Sequence, residues 1–248
     1  MDKADPATLQ QSVAKSPSGW GFRGVTWVIA HRGASWDEQE NTLPAFERAI
    51  AVGADYVEFD VQMSFDGALV VFHDLDLDRL TPLAGPLRQR SLAELHEVGI
   101  PTLEEVIELT RGRIGVMAEL KSAHLYSTRR LVERATVLLG TDDVVISFER
   151  SALLATRRLR PELRVLQHVG FGVSIRAASS YAWGVGFRDP RVTPRGVAKA
   201  RSLGLITTVY TVNDADRMRE LAALGVDGLF TDRPRLARAT LGPPRRQG

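Results

Sequence analysis

The sequence predicts an α/β fold, a closed (β/α)8 barrel, on three observations. Its 248 residues, 44% of them hydrophobic and 25% charged, have the size and composition of a globular protein built as one barrel. Eight short apolar runs have the length and residue types of buried strands, and helical patterns separate them. Strands that alternate with helices form a parallel sheet, and eight such units close it into a barrel. An open doubly wound sheet is the alternative that this pattern leaves.

The eight predicted strands follow one another along the whole chain. They are Trp27–Ala30, Tyr56–Asp60, Gly115–Leu120, Val144–Ser147, Arg164–Gln167, Gly184–Phe187, Ile206–Tyr210 and Asp227–Phe230. Seven of the intervals between them contain a helical pattern, for example Leu43–Val52, Leu125–Leu139, Pro194–Leu203 and Ala215–Leu224. We expect one domain over residues 25–240, a flexible leader at 1–24 and a disordered end at 241–248.

One interval departs from this alternation. After Asp60 the second strand continues, and an apolar return run begins at Leu69. The dipeptide Asp66-Gly67 between the two runs is a strong signal for a two-residue hairpin turn. Such a turn places Asp60 opposite His73. We therefore expect a small β-hairpin at the carboxyl rim of the barrel, which brings His73 back beside the end of the second strand.

Charge and cysteine content exclude several kinds of function. The formal net charge is +2 and the chain has no cysteine, which excludes disulfides, thiolate metal sites and a cysteine nucleophile. The arginine pairs at 129–130 and 157–158 are predicted to be solvated helix faces, so we expect no nucleic-acid partner. No apolar run reaches the roughly 18 residues of a transmembrane segment. The polar first residues lack the apolar stretch of a secretory signal, so we expect a cytoplasmic protein.

Reactive groups in such barrels lie at the carboxyl ends of the strands, where this sequence has several polar side chains. His31 and Arg32 follow the first strand, and arginine offers a planar fork of donors for phosphate oxygens. Glu58 and Asp60 alternate with apolar residues in the second strand, so both are expected to point into the barrel. A turn-capping histidine beside a solvated arginine is the alternative interpretation of the first pair.

A third strand adds Glu119 and Lys121, which also share one face. Glu58, Asp60 and Glu119 would then converge, and each pair of charges at about 4 Å repels by roughly 4 kcal/mol at an effective dielectric of about 20. One lysine cannot cancel three acids, so we predict a divalent cation between them. Ligands that are all oxygen favour Mg²⁺ or Ca²⁺, and Mn²⁺ is a further candidate. A structural salt bridge between Lys121 and one acid is the alternative.

Two histidines, His31 and His73, are expected to flank a phosphate bound at this cluster. Histidine is suited to general base and general acid catalysis near neutral pH. The other histidines carry no such expectation, since His96 lies in a helical segment and His168 follows a strand without acidic neighbours. His124 lies just beyond Lys121 and could contact the substrate.

Seven short motifs, taken in order, cover about 200 residues of the chain. They extend from residue 31 to residue 234 and are HRGAS (31–35), ENTLPAFERAIAVGADYVEFDVQMSFDGALVVFHD (40–74), IPTLEEV (100–106), AELK (118–121), ISF (146–148), VYTVN (209–213) and GVDGLFTDRP (225–234). In order and spacing they resemble the glycerophosphodiester phosphodiesterase family. The resemblance implies three metal-binding carboxylates, Glu58, Asp60 and Glu119. It also implies an acid–base pair of histidines, His31 and His73. Two phosphate-binding cations follow from it as well, Arg32 and Lys121.

The resemblance also implies an activity, the metal-dependent hydrolysis of small glycerophosphodiesters to glycerol 3-phosphate and an alcohol. Water and a neighbouring substrate hydroxyl remain alternative nucleophiles. The sequence does not decide which histidine is the acid and which the base, nor the oligomeric state. A lysophospholipase D or sphingomyelinase D-like activity on lysolipids, with peripheral lipid contact, is the alternative on the same barrel. A catalytically silent, phosphate-binding barrel is a third hypothesis.

Four further residues are candidates for the substrate pocket, namely Glu40, Phe171, Trp183 and Tyr210. Glu40 begins the Glu-Asn-Thr motif of the family and could orient a histidine, while Asn41 or Thr42 is expected to cap the next helix. Tyr210 occupies a position at which the family usually has tryptophan, which could alter the wall that contacts the alcohol.

The segment 168–184 contains Phe171 and Trp183 and differs from the family pattern. These aromatic residues are interpreted as loop anchors and helix-packing residues. The alternative is an apolar rim that admits a lysolipid chain.

Overall fold

The computed structural model describes residues 26–126, 128–170 and 172–243. Its strands are β1 (Trp27–His31), β2 (Tyr56–Met63), β3 (Leu69–Val71), β4 (Gly115–Leu120), β5 (Val144–Ser147), β6 (Arg164–His168), β7 (Gly184–Arg188), β8 (Ile206–Tyr210) and β9 (Gly228–Thr231). All except β3 run parallel in one sheet, and β1 pairs with both β2 and β9, which closes the sheet into a barrel. The predicted (β/α)8 barrel is confirmed, and the open sheet is excluded.

Helices separate most of the successive strands along the chain, and a last helix follows β9. They are α1 (Leu43–Ala51), α2 (Leu92–Glu97), α3 (Leu103–Thr110), α4 (Thr128–Leu138), α5 (Arg150–Leu159), α6 (Ile175–Ala178), α7 (Pro194–Ser202), α8 (Ala215–Leu224) and α9 (Pro234–Leu241). Helix α4 begins later than predicted because Ala123–Leu125 form a separate 3₁₀ turn. The predicted leader at 1–24 lies outside the described residues, as do residues 244–248 of the predicted end. In the described part of the chain, no helix combines the length and the apolar character that crossing a bilayer requires.

Successive side chains of each strand point alternately into the barrel and toward the helices, and this alternation produces two separate apolar cores. The barrel interior is filled by a small cluster that comprises Trp27, Ile29, Tyr56, Met117, Val144, Ile146, Leu166 and Phe230. The alternate side chains pack against the helices in a larger outer core, which includes Val57, Phe59 and Val61 of β2. Because these three face the helices, Glu58 and Asp60 point into the barrel. The orientation predicted for the two carboxylates is therefore confirmed.

The predicted hairpin is present at the end of β2, but its predicted register is wrong by one residue. Val61 pairs with Val71 in the antiparallel pairing of β2 with β3. Asp60 consequently lies opposite Phe72, whose N–H donates to the Asp60 carbonyl over 2.9 Å, and not opposite His73. His73 follows directly after this last pair and still lies near the end of β2.

The reason for the shift is the length of the turn. The N–H of Ser64 donates to the carbonyl of Ala68 over 2.9 Å, so the loop has three residues, 65–67, instead of two. Gly67 takes a φ of 85°, the left-handed conformation that ends a three-residue hairpin loop. The Asp-Gly signal therefore located the turn correctly but not the number of residues in it.

The turn after β1 sets the direction in which the first functional residues point. Gly33 has a φ of 83°, and a Cβ at this position would lie 2.7 Å from the main-chain carbon of Ala45 in α1. Thr42 caps this helix by accepting a hydrogen bond from the N–H of Ala45 over 3.4 Å. The close approach of turn and helix thus requires glycine, and it fixes the position of the preceding Arg32.

Gly33→Ala should destabilise the protein more than Gly85→Ala. Gly85 also has a positive φ, of 82°, but a Cβ at this position would meet no described atom within 4 Å. We expect a loss in the free energy of unfolding of about 1–2 kcal/mol at Gly85 from backbone strain. Overpacking against α1 should add roughly 1–3 kcal/mol at Gly33. Urea denaturation of the two variants measures the difference, and equal losses would contradict the described packing.

Candidate active site

Three carboxylates converge at the carboxyl end of the barrel. Glu58 and Asp60 come from β2, and Glu119 comes from the neighbouring β4, where it is paired in register with Asp60. Each of the three offers one oxygen, and these oxygens all lie within 4.8 Å of one another. All three side chains are buried, with Glu119 the most exposed at 6%. The acidic cluster predicted from the strand ends is therefore present in the fold.

Two basic side chains lie against this cluster. The Nζ of Lys121 is 3.1 Å from Asp60 Oδ1 and 2.7 Å from Glu119 Oε1. The Nε of Arg32 is 3.4 Å from Asp60 Oδ2, and the Arg32 backbone N–H donates to Glu58 Oε2 over 2.9 Å. The expectation of one lysine against three acids was incomplete, because Arg32 is a second cation at the same cluster. Three carboxylates therefore face two positive charges.

The pKa values of the three acids show which of them is least compensated by the two positive charges. Burial, together with the charges of Asp60 and Glu119, raises the pKa of Glu58 to about 8. Burial alone would also raise the pKa of Glu119, but the charge of Lys121 holds it at about 2. The pKa of Asp60 is held well below its usual range by Lys121 and Arg32 in spite of its burial. Glu58 is therefore the carboxylate of the cluster whose negative charge is least compensated by the surrounding cations.

The donor set fits a hard divalent cation. Glu58, Asp60 and Glu119 present only carboxylate oxygens, the ligands that Mg²⁺, Ca²⁺ and Mn²⁺ prefer. Asn41 orients one of them, because its Nδ2 donates to Asp60 Oδ2 over 2.8 Å and its Oδ1 accepts the Asp60 N–H over 3.3 Å. Asn41 therefore supports a carboxylate of the cluster, while Thr42 alone caps the helix. These residues could hold a metal ion.

His31 is held by an aspartate that the sequence analysis did not select. Its Nδ1 lies 2.7 Å from Oδ1 of Asp232, which follows β9. Asp232 is fixed in turn by hydrogen bonds from Ser35 Oγ over 3.2 Å and from Asn213 Nδ2 over 2.5 Å. Burial alone would lower the pKa of His31, but Asp232 and the charge of Glu58 raise it above its ordinary value.

His73 has a similar aspartate partner. Its Nδ1 lies 2.6 Å from Oδ1 of the adjacent Asp74. Burial lowers the pKa of His73 below its ordinary value, and the charges of Lys121 and Arg32 act in the same direction, against that of Asp60. Both histidines therefore have Nδ1 engaged by a carboxylate, which leaves Nε2 as the nitrogen that can exchange a proton with a substrate.

Glu40 has two arginines as its hydrogen-bond partners and reaches a histidine only indirectly. Glu40 accepts hydrogen bonds from Arg32 Nη1 over 2.8 Å and from Arg79 Nη2 over 2.6 Å. Arg79 also donates from Nε to Asp74 Oδ2 over 2.5 Å. Because Asp74 in turn holds His73, Glu40 is linked to that histidine only through Arg79. The residues form a chain of alternating charge along the rim of the barrel.

A cavity of about 800 Å³ opens beside these groups and is large enough for a small organic phosphate. Its lining includes His73, Arg79, Glu119, Lys121 and Phe148, the last of which follows β5. The cavity therefore joins one of the histidines, one of the cluster carboxylates and a phosphate-binding candidate in a single space.

The other pocket candidates have different locations. Tyr210 ends β8 and packs against His168 and Phe148, with ring centroids 4.3 and 5.9 Å away. Trp183 directly precedes β7, at the opposite end of the barrel, and stacks on Trp27 with centroids 6.1 Å apart. It is therefore a packing residue and not part of the pocket. The candidate Phe171 lies outside the described residues.

The remaining histidines divide into two kinds. His96 and His124 are exposed and pair with surface carboxylates, His124 with Glu149 over 2.6 Å. No role was expected for His168, because its strand has no acidic neighbour along the chain, but in the fold this histidine lies near an acid. Its Nε2 lies 3.7 Å from Oε2 of Glu119, two strands away across the barrel end.

Comparison with known proteins agrees with this geometry. Residues 31–236 match the model of the glycerophosphoryl diester phosphodiesterase family. The chain is 31% identical over 235 residues to a glycerophosphodiester phosphodiesterase of Bacillus altitudinis, which covers 85% of this chain and 96% of that one. It is also 31% identical to the enzyme of the same name from Caldanaerobacter subterraneus, over 84% of this chain and 95% of that one.

Solved structures show the same fold. A glycerophosphodiester phosphodiesterase from Agrobacterium tumefaciens is 30% identical, with a TM-score of 0.75 over 86% of this chain and 99% of that one. A phosphodiesterase from Oleispira antarctica, solved in complex with the product sn-glycerol-3-phosphate, is 28% identical with a TM-score of 0.79, over 87% of this chain and 96% of that one. The barrel, the acidic cluster and the extent of these matches lead to one conclusion: this chain belongs to the glycerophosphoryl diester phosphodiesterase family.

Proposed function

We propose that this protein hydrolyses glycerophosphodiesters to glycerol 3-phosphate and an alcohol, with a divalent cation held by Glu58, Asp60 and Glu119. The observation that carries the proposal is the buried cluster of three carboxylates, which is faced by two permanent cations and lies beside an open cavity. The complex of the Oleispira antarctica relative with sn-glycerol-3-phosphate supports the choice of product. When bound, the cation supplies Lewis-acid polarisation of a phosphodiester oxygen.

The basic residues of the cluster bind and neutralise the phosphodiester. Lys121 lines the cavity, and its contacts with Asp60 and Glu119 hold its Nζ against the acidic cluster. Arg32 contacts the other carboxylate oxygen of Asp60, and its guanidinium is held there by Glu40. A phosphodiester placed between the two cations is stabilised most when negative charge builds up on its oxygens in the transition state.

The two histidines exchange protons from Nε2, and their environments favour opposite roles. His31 has a raised pKa, which favours the protonated form and the role of general acid toward the leaving alcohol. His73 has a lowered pKa, which favours the neutral form and the role of general base toward the attacking hydroxyl. In the reverse assignment, each ring would act in the form that its pKa shift disfavours. The attacking hydroxyl belongs either to water or to the glycerol moiety.

The lining of the cavity favours a small polar substrate over a lysolipid. Asp74, Asp76, Asp78, Arg79 and Glu149 contribute charged side chains to its walls. An acyl chain placed against them would remove hydration from charged groups without replacing it. Glycerophosphocholine should therefore be hydrolysed faster than lysophosphatidylcholine at equal concentration, and the reverse order would favour the lysophospholipase D alternative.

The purified protein should release glycerol 3-phosphate from glycerophosphocholine with Mg²⁺, Ca²⁺ or Mn²⁺ and lose this activity in chelator. Glu119→Gln removes one ligand charge, so we expect a loss of kcat/KM of about a hundredfold or more. Glu47→Gln, at a surface ion pair with Arg113, is the matched control and should stay within about twofold. Full activity in chelator, or a Glu119→Gln variant close to wild type, would refute the metal-dependent mechanism.

His31→Ala and His73→Ala should each lower kcat by about a hundredfold or more, because each removes a proton-transfer group. The pH dependence of kcat/KM separates their roles. A general acid loses activity as the pH rises through its pKa, whereas a general base loses it as the pH falls through its pKa. Asp232→Asn removes an interaction that raises the pKa of His31, so the alkaline limb should move to lower pH.

Asp74→Asn is the matched variant at the other histidine. It removes an interaction that raises the pKa of His73, so the acid limb should move to lower pH. A shift of the acid limb in Asp232→Asn would show that the two roles are reversed. Losses below tenfold in both alanine variants would refute acid–base catalysis by this pair.

A further inference from the structure

The imidazole of His168 has no part in the proposed chemistry, yet it faces the acidic cluster. His168 ends β6 and is only 3% exposed. Its Nε2 lies 3.7 Å from Oε2 of Glu119, while Lys121 contacts the other oxygen, Oε1, over 2.7 Å. One carboxylate is therefore held by Lys121 at one oxygen and approached by His168 at the other.

The fold leaves the ring of His168 little freedom to move. Phe148 and Tyr210 pack against it with ring centroids 4.5 and 4.3 Å away, and Phe230 lies at 6.0 Å. Gly186 on the neighbouring strand β7 makes room for the ring, because a Cβ at this position would overlap His168 Nδ1. The aromatic rings around the imidazole and the space left by glycine at position 186 thus fix the direction in which the imidazole points.

The surroundings of the ring also favour one tautomer. Nδ1 of His168 is buried and has no hydrogen-bond partner among the described residues. A buried N–H without an acceptor costs about 1–3 kcal/mol, so the proton is favoured on Nε2, the nitrogen that faces Glu119. The separation of 3.7 Å is longer than a hydrogen bond, and a shift of about half an ångström would bring the two atoms within that range.

We propose that His168 is a positioning residue, which donates from Nε2 to Glu119 and holds this carboxylate in the orientation that binds the cation. The inference rests on the proposed function, because it requires a cation at Glu58, Asp60 and Glu119. Groups that hold a metal ligand in this way, without contacting the metal, typically change metal affinity by about ten- to a hundredfold when they are removed.

Binding of Mn²⁺, followed by the electron paramagnetic resonance signal of the free ion, tests this role without measuring turnover. His168→Phe keeps an aromatic ring in the enclosure but removes both nitrogens, so the Kd for Mn²⁺ should rise roughly ten- to a hundredfold. His168→Gln places an N–H donor near the position of Nε2 and should restore most of the affinity. His96→Phe, the same change at an exposed histidine, should leave the Kd unchanged.

A second pair of variants keeps the test independent of the stability of His168→Phe. Gly186→Ala displaces the imidazole without removing it and should weaken Mn²⁺ binding in the wild-type background. In a His168→Ala background the added methyl group has no ring to displace, so it should have no further effect. Equal effects of Gly186→Ala in both backgrounds would contradict the proposed role.

The outcomes distinguish this inference from the function on which it rests. A wild-type Kd in His168→Phe would overturn the positioning role and leave the metal site intact. Binding by His168→Gln as weak as that by His168→Phe would overturn the role of the Nε2 proton. A wild-type protein that binds no Mn²⁺ would overturn the metal site itself, and this inference with it.

Discussion

The site depends on an imbalance of charge in a buried space. Glu58, Asp60 and Glu119 lie within one cluster, and only Lys121 and Arg32, among the described residues, oppose them as permanent cations at close range. The fold brings the acids together because side chains alternate between the two faces of a strand. The apolar neighbours of these acids face the helices, so the acids themselves point into the barrel. In the proposed function, the excess negative charge attracts a cation to the barrel mouth, and the two basic residues bind the phosphate of the substrate.

Much of this arrangement could be predicted from the sequence because it follows from strand geometry. The carboxyl ends of parallel strands meet at one end of a barrel, so polar residues at several strand ends are expected to converge. That reasoning located His31, Glu58, Asp60 and Glu119 correctly. It extends to Asp232, which follows the last strand in the same way and belongs to the motif GVDGLFTDRP, although the motif alone does not indicate its contact with His31.

Other features could not be predicted, because they depend on loops and on contacts across the barrel. Arg79 lies in an irregular segment, and nothing in its sequence neighbours indicates that it bridges Asp74 and Glu40. The hairpin register depended on whether the turn had two or three residues, which the Asp-Gly signal does not decide. His168 has no acidic neighbour along the chain, and its partner Glu119 comes from β4, two strands away in the sheet.

The most direct test of the metal site is a crystal structure of the protein grown with Mn²⁺, with diffraction data collected at the manganese absorption edge. We expect one anomalous peak at the carboxyl end of the barrel, bonded to an oxygen of each of Glu58, Asp60 and Glu119. A fully ordered cluster without such a peak, or a peak that Glu119 does not contact, would contradict the central claim.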